Sequence, residues 1–122
     1  MSDEISKVLY VISRAPYSNS SGVEALDAIM IGASFELDVS VLFLNDGVFQ
    51  LKKGQNAAGS SLKQFTKTYR ALNDFGVESL YVQDQSLESR GLTESDLMVP
   101  VSVVDSQAIA KLFAEQARVL TF

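Results

Sequence analysis

The chain has 122 residues, with 15 acidic and 10 basic side chains and a net charge of −5. It contains no cysteine and no histidine. That excludes thiol and persulfide chemistry, Cys- or His-ligated metal and a Ser-His-Asp triad on this chain. Its length predicts one domain over residues 1–122 with its own core. Hydrophobic residues make up 47% and charged residues 20%, below the usual share of about 25%. So apolar a small domain predicts that part of its surface is covered by a partner.

Lys7–Ser13 (KVLYVIS) is a short β-branched run and predicts a strand buried on both faces. The loop 14–21 follows, marked by Pro16 and small polar residues. Ser20 or Ser21 is placed to cap a helix running to about Phe35, with Glu24 and Asp27 in its first turns. Past Asp27 this helix is apolar almost all round (Ala28, Ile29, Met30, Ile31, Ala33, Phe35). A helix with one face on a sheet shows a polar stripe, so this one is expected to be buried on a second side. Gly32 would permit a close approach.

Asp38–Leu44 (DVSVLFL) predicts a second buried strand, ended by the turn signal Asn45-Asp46-Gly47. The segment 53–61 is Gly-rich and polar, and a mobile loop is expected there. Leu62, Phe65, Tyr69 and Leu72 then form a helical stripe, with Lys63, Lys67 and Arg70 on another face and Gly76 as the stop. Val77–Val82 is a third strand. Ser86–Arg90 forms a helical turn stopped at Gly91, and Thr93 with Asp96 resembles a weak cap. Met98–Val104 is a fourth strand, at an edge or bulged because of Pro100. Asp105 or Ser106 caps a last helix with Ile109, Leu112, Phe113 and Gln116 on one face, and Arg118–Phe122 is a final strand. Strands alternating with crossovers of this length pair in parallel. The expected fold is α/β: a single three-layer α/β/α domain with a mostly parallel five-stranded sheet.

Ligands of such folds bind at the C-terminal ends of the strands, here the loops 14–21, 45–49 and 83–86. Ser18, Ser20 and Ser21 before a helix N-terminus loosely resemble the phosphate loop of flavodoxins. The segment matches neither a dinucleotide nor a Walker fingerprint, and a polar turn with an N-cap explains it as well. Asp46 suits a ribose hydroxyl or a plain Asp-Gly turn. Asp84 stands where a receiver domain has its phosphorylated aspartate, but Ser13-Arg14 replaces the acidic pair such a domain needs. Glu88, Glu94 and Asp96 read as surface residues rather than a catalytic pair. From Gly47 to Asn73 there are five bases and no acid, so the rest of the chain carries all the acids against the remaining five bases. That dipole suits a charged protein partner. Nucleic-acid binding is not expected, given the overall negative charge and the lack of interleaved aromatics. No apolar run is long enough to span a membrane, and the acidic start Met1-Ser2-Asp3-Glu4 has no apolar signal region after it. A cytoplasmic chain is expected. No metal or cofactor is expected.

Several segments in order resemble the DsrE/DsrF-like family, and its TusC/DsrF branch most. They are Ala15-Pro16-Tyr17, Glu24-Ala25-Leu26-Asp27, the run Phe43–Leu51 (FLNDGVFQL), Gly54-Gln55, Ser86–Leu92 (SLESRGL) and Val119-Leu120-Thr121-Phe122. The resemblance implies a DsrEFH-like fold and a non-catalytic subunit of a heterohexameric sulfur-relay complex, with two copies each of TusB-, TusC- and TusD-like chains. It implies that a TusA-like donor and a TusE-like acceptor act through the Cys-bearing subunit, and that the sulfur ends as 2-thiouridine at the tRNA wobble position. In the DsrEFH counterpart the same assembly serves oxidation of stored sulfur. The family's active cysteine lies near the end of the third strand, which is Val82-Gln83 here. Some DsrF-type chains have a cysteine where this one has Ser40, and a hydroxyl does not carry sulfane sulfur. Tyr17, Asp46, Gly47, Val48, Phe49 and Gln50 are the expected subunit-docking residues, with a purely local role in shaping the turn as the alternative. A flavodoxin-like small-molecule binder and a self-associating homo-oligomer are the competing readings.

Overall fold

The computed structural model describes residues 6–15, 21–53 and 66–122, with only the backbone of 21, 22, 66 and 67. Five strands are present among the described residues: β1 (Lys7–Ile12), β2 (Asp38–Phe43), β3 (Ser79–Gln83), β4 (Ser102–Val104) and β5 (Arg118–Thr121). They form one sheet in the order β4-β3-β2-β1-β5. Every strand pairing is parallel. Three α-helices join them: α1 (Ser21–Ser34), α2 (Asp84–Ser89) and α3 (Ser106–Ala114).

The β-branched runs explain the interior strands β1 and β2. In both β1 and β2, all but the first residue are buried. Val8, Tyr10 and Ile12 face one side, together with Val39, Val41, Phe43, Leu80 and Val82, and pack against Ala25, Leu26 and Ile29 of α1. Leu9, Val11 and Leu42 face the other side and meet Ile109 and Leu112 of α3. Helices therefore flank the sheet on both faces, as expected of an α/β/α arrangement.

The borders of β1 and β2 fall one residue short of expectation, and β3 starts at Ser79 rather than Val77. Val77 is nevertheless buried in the main core. The fourth strand shrinks from 98–104 to Ser102–Val104. Pro100 lacks the N–H that a ladder needs, which keeps the segment before Ser102 out of the sheet. That strand lies at the sheet edge, as its proline predicts.

The segment read as a helix through Leu72 is a 3-10 helix at Thr66–Phe75. Tyr69 and Leu72 of the expected stripe are buried in the core. Leu62, Phe65 and the Gly-rich loop lie outside the described residues. Gly76 closes the helix at φ 88°, a conformation open to glycine and strained for other residues. Asp105 caps α3, accepting from the Ala108 N–H at 2.8 Å. No α3 residue is fully buried.

The second-side burial expected of α1 is partial among the described residues: the helix meets the 3-10 helix Thr66–Phe75 as well as the sheet, and Met30 and Ala33 are half-buried, but one face stays uncovered. Ile31 is 58% and Phe35 73% exposed. The sheet covers only the face carrying Ala25, Leu26 and Ile29. Gly32 does permit the close approach, and it does so on the sheet side. A Cβ there would sit 2.5 Å from the Tyr10 hydroxyl, which donates to the Ala28 carbonyl at 3.0 Å.

Candidate functional site

The loops after β2 and β3 meet at the C-terminal end of the sheet. Asn45–Leu51 coils into a 3-10 helix directly after β2, and α2 follows β3 without an intervening loop. Asn45 adopts φ 51°, in the left-handed region that asparagine tolerates better than most residues. Its N–H donates to the Ser86 hydroxyl at 2.8 Å. The Ser86 hydroxyl in turn donates to the Gln83 side-chain carbonyl. Arg90 donates from Nε to Asp46 Oδ1 at 3.0 Å and from Nη1 to the Ser86 carbonyl at 3.2 Å. The two motifs 43–51 and 86–92 are thus clamped together.

Gly47 is required for a second contact. A Cβ at this position would lie 2.0 Å from the Ile12 carbonyl oxygen and 2.6 Å from its carbon. Those atoms are backbone and cannot rotate away. Val48 and Gln50 are fully buried. Gln50 Nε2 donates to the Arg14 carbonyl at 3.1 Å, tying this helix to the loop after β1, while its Oε1 is buried without a partner.

Of the expected docking residues, Asp46 is exposed and Phe49 half-buried, whereas Gly47, Val48 and Gln50 are enclosed by their own chain. Tyr17 lies outside the described residues, as do Ser18 and Ser20 of the phosphate-loop reading. Asp46 is held by Arg90. The importance of Arg90 and Ser86 was visible only as part of a motif, and their partnership with Asn45 and Asp46 carried no sequence signal. Gln83 ends β3 half-buried, next to the buried Val82. Ser40 is buried on β2, facing the same side as Leu9, its register partner.

Glu88 and Glu94 are exposed, and among the described residues no group of acidic side chains is arranged to hold a metal ion. None of the described helices is long and apolar enough to cross a membrane. What the described residues of the site offer is hydrogen bonds and shape.

Comparison with known proteins agrees with the geometry. The chain is 40% identical to the intracellular sulfur oxidation protein DsrF of Allochromatium vinosum, covering all of both chains. It is 43% identical to a TusC homolog of Pseudomonas aeruginosa over 118 residues, covering 96% of this chain and 99% of that one. Among solved structures it is similar to the ychN protein of E. coli, with a TM-score of 0.83 at 21% identity, covering 97% of this chain and 100% of that one. A Methanobacterium thermoautotrophicum protein of unknown function follows, with a TM-score of 0.65 at 18% identity, covering 96% of this chain and 99% of that one. The sequence profile of the DsrE/DsrF-like family matches residues 6–122, and the chain belongs to that family.

Proposed function

We propose that the chain is a non-catalytic subunit of a cytoplasmic, heterohexameric sulfur-relay complex of the TusBCD type. Its complex passes persulfide sulfur towards 2-thiouridine at the tRNA wobble position. The observation that carries this reading is the full-length similarity to TusC and DsrF chains, in a chain that itself has no cysteine. Sulfur then travels on TusB- or TusD-like partners, a TusA-like donor and a TusE-like acceptor, and this chain supplies shape. Exposed Ile31 and Phe35 on α1 support a covered surface in the assembly. Asp46 and Phe49, with Tyr17, are the proposed docking residues, and buried Gly47, Val48 and Gln50 hold the backbone that presents them.

A second reading rests on the Allochromatium relative, named for sulfur oxidation and 40% identical. Here the same kind of assembly, DsrEFH-like, would oxidise stored sulfur. One experiment separates the two. The tagged chain is pulled down from its host and the eluate weighed by native mass spectrometry, while tRNA from a deletion strain is digested and its 2-thiouridine quantified. A complex with a homologue bearing a third-strand cysteine, together with loss of 2-thiouridine, is the expected result. The complex with intact 2-thiouridine moves the assignment to sulfur oxidation. Recovery of the chain alone overturns both.

A further inference from the structure

The segment β4–α3–β5 is held differently from the rest of the fold. Leu97 is the last buried residue, and every residue from Met98 to Phe122 is at least partly exposed. α3 buries none of its side chains completely, and all four residues of β5 are exposed. Ile109 and Leu112 pack half-buried on Leu9, Val11 and Leu42, and the Phe122 ring stacks on Tyr10 with centroids 6.3 Å apart. Main-chain pairing of β4 with β3 and of β5 with β1 completes the attachment. In β1 and β2, by contrast, five of six residues are buried. Apolar burial is the dominant stabilising term in folding, and segments poor in it open before the whole molecule unfolds.

This weakly held segment bears on the helix Asn45–Leu51 from both of its ends. At its approach, the Met98 N–H donates to the Leu51 carbonyl at 2.8 Å. At its finish, the Phe122 carbonyl accepts from the Ser13 N–H at 3.0 Å and from the Ser13 hydroxyl at 3.1 Å. The neighbours of Ser13 touch the helix. The Ile12 carbonyl lies against Gly47 and accepts the Leu44 N–H at 2.9 Å, and the Arg14 carbonyl accepts from Gln50 at 3.1 Å. Gln50 is fully buried with its Oε1 already unpartnered. Losing Arg14 as well would strand both ends of a buried amide, which is costly. The run Ile12–Arg14 is thus gripped by the end of β5 on one edge and by the helix on the other.

We propose that β4–α3–β5 is a latch: it opens as a unit below global unfolding, and only its closed form fixes the helix that carries Asp46 and Phe49. By reciprocity, whatever binds the ordered helix also holds the latch shut. The inference does not rest on the relay reading. Its test is hydrogen exchange of the isotopically labelled full chain, read amide by amide. The Ser13, Ala117 and Phe122 amides report the latch, Leu44 and Gly47 report the helix, and the β2–β3 ladder reports global unfolding. Latch and helix amides are expected to share one opening constant, larger than that of the ladder. Asp105→Ala removes the α3 N-cap and acts directly on the latch. It is expected to raise exchange about fivefold in both groups, as the loss of a helix cap does. Should that variant fail to fold, Ser13→Ala, which deletes one of the two bonds to Phe122, takes its place with the same expected direction in both groups. Latch amides that exchange only with the ladder, helix amides as slow as the ladder, unequal opening constants, or a Gly47 amide indifferent to the variant would each overturn the proposal.

Discussion

Gly47 shows how much one missing methyl group decides. Its backbone lies so close to the Ile12 carbonyl that a Cβ would meet the oxygen at 2.0 Å. That carbonyl also accepts the Leu44 N–H at 2.9 Å. Gly47→Ala must therefore push the 3-10 helix Asn45–Leu51 off the end of β1. Overpacking of this kind costs about 1–3 kcal/mol, and we expect the upper half of that range, since both neighbours are main chain. Urea denaturation of the purified variant measures it, and an unchanged midpoint would refute the contact. The sequence offered Asn45-Asp46-Gly47 as a turn, which is correct in place. What it could not offer is the reason for the glycine, because Ile12 belongs to another strand. The same holds for Arg90 and Asp46, whose 3.0 Å pairing spans 44 positions. No local pattern encodes a contact of that kind.

At the scale of the element, α1 is the informative case. Its composition predicts burial almost all round, and among the described residues the face carrying Ile31 and Phe35 stays uncovered. Hydropathy reports how much surface a helix wants covered and is silent on whether its own chain or another covers it. Ile31→Glu combined with Phe35→Glu is expected to leave the stability of the isolated chain within about 0.5 kcal/mol, as exposed substitutions do. The double variant should lose its partners in the pull-down. Unimpaired assembly would remove this side of α1 from the interface. The strands were more legible, because near-continuous apolar runs such as VLYVI and VSVLF suit parallel strands buried on both faces. The 3-10 character of Thr66–Phe75 was not legible. Tyr69 and Leu72 are three apart, and a spacing of three serves either kind of helix.

For the molecule as a whole, the two tyrosines Tyr10 and Tyr69 predict how stability depends on alkali. Burial raises the pKa of both hydroxyls, Tyr69 far more strongly. A raised value in the fold means that the unfolded chain loses its protons first, at about pH 10. Their contribution is complete below that pH and is lost as the pH rises towards the folded values. The urea midpoint is therefore expected to fall above about pH 10, and to fall less steeply in Tyr69→Phe. A flat profile in the parent chain would show that Tyr69 ionises freely and is not enclosed.

The strand order has a consequence for synthesis. β1 is interior in the finished sheet, flanked by β2 and the edge strand β5. Yet the Ser13 hydroxyl reaches the Phe122 carbonyl across 109 positions, and β5 pairs with β1 from Val8 to Val11. While the chain emerges from a ribosome, β1 can pair with β2 early, but its other edge stays open until residues 118–121 have cleared the exit tunnel. Until then the nascent chain presents a β-branched strand with unpaired amides and carbonyls along that edge. A chaperone or a partner subunit arriving during that interval would meet an open sheet edge that the finished fold no longer displays.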